Sequence, residues 1–191
     1  MKAYDLSADL KEFIERSTTN IFLSKARQFV ELLETPDIDK NVFYSEAHVK
    51  LLELYYAGHK LDLIELKYSS AESEFKNDFE NKNVNLISEL GLQEYYWEVH
   101  DPGYLEMKGR LDEEASLSDK EASQGMLSDD FMDIYVDLKK SLSQIDKMET
   151  DEAIEDAFWQ LKWGFSNHWG HHCINALRYL HYLNYDGKKM L

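Results

Sequence analysis

The sequence predicts an all-α protein, a single-domain helical bundle of about five to seven helices over 1–191, and three observations predict it. Two prolines and eight glycines are all that punctuate 191 residues. Apolar residues recur at spacings of three and four along most of the chain. No two alternating runs are joined by a hairpin turn, and no period of about 20–50 residues repeats.

The first helix is expected over 7–34. Ser7 stands before it as an N-cap, and Leu10, Phe13, Ser17, Ile21, Ser24, Gln28 or Phe29, and Leu32 trace one stripe until Thr35 and Pro36 stop it. A second helix fits 45–57, with Val49, Leu52 and Tyr56 on one side, Leu51, Leu54 and Tyr55 beside them, and Gly58 as its stop. LDLIEL at 61–66 reads as a short helix or as extended chain, and the polar run 69–83 as a weak helix or a surface connection. The apolar pattern resumes over 84–99, where Tyr95, Tyr96 and Trp97 must pack, and is read as helical. Tyr104 to Leu127 has no sustained period and is expected as a long acidic loop before the last two helices.

Ser128 then caps a helix whose Phe131, Ile134 or Tyr135, Leu138, Leu142 and Ile145 share a face, with acids first and lysines later as the helix dipole favours. Thr150 begins the last helix. There Ile154, Phe158, Leu161, Phe165, His168, His172, Asn175, Tyr179 and Leu183 form a heptad-like seam that ends near Asn184 and Gly187.

Charge limits the partners. With 21 Lys and Arg against 37 Asp and Glu, the formal charge is −16, a field that repels nucleic acid and anionic lipid. The stretch 101–157 holds 17 acidic and 6 basic residues and so carries −11 of the total. A basic protein partner fits such a face. One cysteine makes no internal disulfide, the N-terminal residues lack the apolar core of a signal peptide, and no apolar run reaches the ~18–20 residues of a membrane span. A cytoplasmic location is expected.

SNHWGHHCINALRYLHYL, 166–183, places three of the seven histidines within five residues and carries the only cysteine. His168 and His172, four apart on a helix, project together from the apolar seam, and each ring must satisfy two nitrogens. Two such histidines are half of a zinc, iron or manganese site, and Asp130, Asp133 and Asp137, spaced by three and four on the preceding helix, are the carboxylates that could complete it. The structural alternative makes these aspartates a solvated face and the histidines hydrogen-bonded core residues, with no cofactor. His171 belongs nearer the rim. Cys173 sits on the apolar flank with Trp169, Ala176 and Leu180, where a small residue fits and a nucleophile does not. Gly164 and Gly170 inside the helix imply a close crossing or a kink, with Trp159, Trp163 and Trp169 around it. A ligand cleft at Trp163, Trp169, His168 and His172 is one consequence. The DDxxD string of Asp129, Asp130 and Asp133 and the ExxE pairs Glu12 with Glu15 and Glu31 with Glu34 are weaker magnesium-type signals, since acids are common at helix starts and on solvated faces.

The stretches LSDDFMDIYVDLKKSL, 127–142, and FSNHWGHHCINALRYLHYL, 165–183, resemble a bacterial family known as domain of unknown function 5063, whose members join an SDD, IY, DL helix to a final HWG-x-H helix. The resemblance implies a bacterial, cytoplasmic, all-helical protein and brings no catalytic residues with it. It marks Asp129, Asp130, Asp133, His168, Trp169, Gly170 and His172 as a shared constellation.

The leading functional expectation is a non-enzymatic module that binds a protein or small ligand, through its acidic segment or the Trp163–Trp169 cleft. The alternative is a metal-dependent hydrolase-type enzyme using His168 and His172 with an aspartate from 129–137. Assembly into a homo-oligomer through an exposed apolar face is compatible with both.

Overall fold

The computed structural model describes residues 5–69, 95–98, 123–147 and 149–186. In chain order these form α1 (Ala8–Glu15), α2 (Ser17–Glu34), α3 (Lys40–Lys60), β1 (Tyr95–Glu98), β2 (Ser123–Met126), α4 (Leu127–Lys147), α5 (Asp151–Asn167), α6 (Trp169–His181) and a closing π-helical turn, Tyr182–Asp186. The fold is all-α. Helices α2, α3, α4, α5 and α6 enclose one core built on Phe22, Phe29, Phe43, Phe131, Tyr135, Phe158 and Trp169.

The helix expected over 7–34 is two helices. Arg16 takes ψ 139° and interrupts it, and the Asn20 side-chain amide donates to the carbonyls of Ile14 and Arg16 at 2.9 and 3.1 Å, the first of them an acceptor near the end of α1. The break also turns the stripe. Phe22 is fully buried while Ile21 is 53% exposed.

Helix α3 starts earlier than expected, at Lys40, because Asp39 caps it, accepting from the amides of Asn41 and Val42. Its core face is Phe43, Tyr44, Ala47, Leu51, Leu54, Ala57 and Gly58, so Val49, Leu52 and Tyr56 are on the solvent side instead. Gly58 is not a stop. A Cβ there would sit 2.7 Å from both Trp169 Cη2 and Phe165 Cδ2, and the helix runs on to Lys60.

LDLIEL is extended, with Leu61 and Ile64 buried, and it leads to a carboxylate clamp. Buried Glu155 on α5 accepts from the amides of Lys67, Tyr68 and Ser69 at 2.6, 2.9 and 2.6 Å and from the Ser69 hydroxyl at 2.8 Å. Burial pushes the acid up, but these donors outweigh it and hold the carboxyl below its usual value. Glu155→Gln trades acceptor capacity for an NH2 that faces donors. The expected cost is about 2–3 kcal/mol, a fall in melting temperature of roughly 4–12 °C for a chain of this size. A depressed acid contributes fully above its unfolded value of about 4.5, so the wild-type advantage should shrink as pH falls below that value and be lost through the lower folded one. Paired melting curves at pH 7 and pH 3.5 check both points.

Residues 95–98, expected as helix, form a strand paired antiparallel with 123–126, residues expected as loop; Tyr96 lies opposite Gly125. The rest of those two expectations, 84–94 with 99 and 104–122, and the run 70–83, lie outside the described residues. β2 passes directly into α4, which places Ser128 inside the first turn instead of at the cap, while Phe131, Ile134, Tyr135, Leu138, Leu142 and Ile145 are buried as expected. The Thr150 hydroxyl accepts from the Ala153 amide at 3.1 Å and starts α5 where the sequence places it.

The last expected helix is also two. His168, at φ −144° and ψ −91°, breaks it, and Trp169 fills the break, fully buried. Its indole lies where a Cβ on Gly164 of α5 would meet Cδ1 at 2.7 Å and one on Gly58 of α3 would meet Cη2. Nε1 donates to the Leu161 carbonyl at 3.0 Å. Of the crossing or kink inferred from Gly164 and Gly170, Gly164 packs on this indole, and Gly170 lies just past the break, where a Cβ would meet the Phe165 carbonyl.

Candidate metal centre

The break at His168 reorients α6 against α4, and the side chains that meet there come from two short sequence patterns. On α4, Asp130, Asp133 and Asp137 recur at three and four and so share a face. On the other side His168 stands at the break and His172 one turn into α6, their rings 5.0 Å apart between centroids and 75° from coplanar.

Each imidazole is held by a carboxylate on Nδ1. His172 Nδ1 lies 2.8 Å from Asp130 Oδ1 and His168 Nδ1 lies 2.7 Å from Asp137 Oδ2. The far side of His172 faces a second carboxylate, with Nε2 3.3 Å from Asp133 Oδ2. One ligand atom each from Asp133, His168 and His172 falls within 4.8 Å of the others. Among the described residues no other group of three or more His, Cys, Asp and Glu is gathered this closely.

The environment is graded. Asp130 is buried at 3% exposure, and burial pushes its carboxyl up against the opposing hydrogen bonds of His172 and Tyr96. The hydrogen bond that the His172 ring makes to Asp130 raises His172 above the usual imidazole value, with burial opposing and Asp133 and Glu98 adding to the rise. Side chains of His168, Asp137 and Asp133 are 45%, 33% and 43% exposed, so solvent reaches that side. A polar contact exposed like His168–Asp137 contributes about 0–1 kcal/mol to stability.

The five residues considered from the sequence as metal ligands therefore come together, although not as a buried seam. The break puts His168 at the rim, and His172 is half-buried instead of inward. The residues of the ligand cleft expected at Trp163, Trp169, His168 and His172 are divided between core and surface. Trp169 is sealed in the core, whereas Trp163 is 47% exposed and stacks on Trp159 at 5.9 Å. What adjoins His168 is a recess of about 90 Å³ bordered by Asp137, Lys140, Gln160 and Trp163. Asp129 is exposed, so the DDxxD string brings only Asp130 and Asp133 to this cluster, while Glu12 and Glu34 of the ExxE pairs are engaged with Arg16 and with Tyr135 and Lys139. Cys173 is buried and burial pushes its thiol up, which leaves it a packing residue.

The sequence reading missed Tyr96 and Glu98. The Tyr96 hydroxyl donates to Asp130 Oδ2 at 2.5 Å, and the Asn175 amide, one turn past His172, donates to Glu98 at 2.8 Å. EYYWEV, a run of strand-forming residues, could signal a strand there but not the partner strand or the helix that it meets.

A family model described as Domain of unknown function (DUF5063) matches residues 13–186. None of the curated proteins compared with the chain matches it. The crystal structure of protein BF1032 from Bacteroides fragilis is similar in fold, with a TM-score of 0.64 at 18% identity over 91% of this chain and 96% of that one.

Proposed function

The chain belongs to the DUF5063 family, whose description assigns no activity, so function has to be read from the site, and we propose that the protein binds one divalent transition-metal ion through Asp133, His168 and His172. The observation that carries this is the pairing of each histidine Nδ1 with its own carboxylate while a third carboxylate faces His172 Nε2. A metal takes a neutral imidazole, and a carboxylate on one ring nitrogen fixes the tautomer that leaves the other as a lone-pair donor. Around a tetrahedral ion with bonds of ~2.0–2.1 Å, neighbouring ligand atoms stand about 3.3 Å apart, the separation found between His172 Nε2 and Asp133 Oδ2.

Two histidines and one carboxylate suit zinc, iron or manganese, and a three-residue set leaves a position for water. Metal-bound water is a nucleophile near neutral pH, which makes hydrolysis the reaction class this centre would serve. Without an ion, only a doubly protonated His172 satisfies both carboxylates. That proton-only arrangement would be a staple between α4 and α6 and belongs to the non-enzymatic reading.

Calorimetric titration of chelator-stripped protein with zinc separates the two. One ion per chain is expected, with affinity weakened at least about 100-fold in Asp133→Asn and His172→Ala, beyond the 10–100-fold typical of outer partners. Equal, weak heats for wild type and both variants would leave the staple.

A further inference from the structure

We propose that Tyr96 is the positioning residue of this centre: its hydroxyl clamps Asp130 against His172 and thereby sets the ring orientation and tautomer in which His172 offers Nε2 to the ion. The inference rests on the metal reading above and adds to it a residue from a different part of the chain.

Both oxygens of the Asp130 carboxylate are occupied, Oδ1 by His172 Nδ1 and Oδ2 by the Tyr96 hydroxyl. Two donors on opposite oxygens stop the carboxylate from turning about its bond, which one donor alone would not do. A phenol can only donate to an ionised carboxylate, so the direction of the pair is fixed. Tyr96 is 8% exposed and Asp130 3%, and no bulk water is at hand to replace either partner. Burial, followed by the bond to Asp130, pushes the Tyr96 phenol up and keeps the proton on it.

The hydroxyl is itself held in place by α6. Beyond His172, one turn on, Asn175 donates to Glu98, and a further turn on Arg178 donates to the Trp97 carbonyl at 2.6 Å. The Tyr96 ring packs on Tyr179 at 5.4 Å and lies under the Arg178 guanidinium at 5.7 Å. Across the strand pair stands Gly125, where a Cβ would come within 2.5 Å of that ring. Glycine at this register position lets the ring lie across β2 and reach Asp130. Strand β1 is thus bound to the same helix that presents His172.

The test is Tyr96→Phe, which keeps the ring and removes the hydroxyl. Two readouts are needed. The zinc dissociation constant should rise about 10–100-fold, as for other outer partners of metal-bound histidines. In the metal-free protein, at a pH where the imidazole is neutral, the 15N shifts of His172 should show Nδ1–H with bare Nε2 in wild type and a mixture of tautomers in the variant. Asp137→Asn, at a carboxylate bonded to His168 instead of His172, should leave the His172 tautomer unchanged. A variant that melts lower with the same zinc affinity and the same tautomer would make Tyr96 a packing residue and overturn the proposal. A wild-type His172 carrying its proton on Nε2 would overturn it without any variant, even if Tyr96→Phe failed to fold. Failure of the wild type to take up zinc would instead remove the metal reading, and the tautomer comparison would still decide the clamp.

Discussion

Gly170→Ala is expected to destabilise the protein by about 3 kcal/mol or more, at or beyond the upper end of ordinary overpacking, and to lower its melting temperature by roughly 6–12 °C. An added Cβ would lie 2.0 Å from the Phe165 carbonyl oxygen and 3.0 Å from its carbon. Those are backbone atoms of the preceding helix, and no rotamer change relieves the overlap. Relief requires reopening the break at His168, which displaces His168 and His172 from α4 and draws Trp169 from between Gly58 and Gly164. The same substitution at Gly164 meets the Trp169 ring at 2.7 Å, a side chain that can shift, so its cost should be smaller. Thermal melts of the two variants should rank Gly170→Ala as the more damaging, with zinc affinity falling alongside. The reverse ranking would mean that the break is not fixed by Gly170.

The second large effect is on pH. Protonated His172 bridges two carboxylates in the metal-free protein, and its value is raised above 6.5 by Asp130. A raised histidine contributes stability that is fully present below its unfolded value and lost as pH rises through the folded one. Metal-free protein should therefore melt progressively lower as pH climbs past about 6.5. Zinc must displace that proton, so its apparent affinity should fall about tenfold for each pH unit below the folded value of His172, or about 100-fold over two units. The rise in melting temperature caused by zinc should grow with pH while the metal-free melting temperature declines. Parallel curves with and without zinc would contradict the coupling.

How much of this was legible in the sequence depended on whether the cause was local. The apolar face of α4 and the Thr150 cap were readable because periodicity and capping involve residues within a turn or two. The break at Arg16 was not, and the one at His168 was signalled only as a crossing or kink near Gly164 and Gly170. The heptad-like spacing runs unbroken through 168, and what interrupts it is a tryptophan seated against two glycines, one of them more than a hundred residues away at Gly58. Helix α3 misled for a different reason. It carries apolar residues on both sides, Phe43, Leu51 and Leu54 inward and Val49, Leu52 and Tyr56 outward, so its pattern does not select a face.

Of the site, the spacing of Asp130, Asp133 and Asp137 and of His168 and His172 could be read, but not their exposure, which depends on the break. Tyr96 was hidden because its strand is four residues long and pairs with another beginning at Ser123. Local patterns cannot register a pairing of that separation.

Whether an ion is held by Asp133, His168 and His172 is decided most directly by anomalous diffraction from crystals of the protein grown with zinc, collected on both sides of the zinc edge. One strong peak is predicted about 2.0–2.2 Å from an Asp133 oxygen and from one nitrogen each of His168 and His172, with Asp130 and Asp137 remaining on the opposite ring nitrogens. A peak elsewhere, or none at these three residues with His172 still bridging Asp130 and Asp133, would contradict the metal centre and leave a protonated staple between α4 and α6.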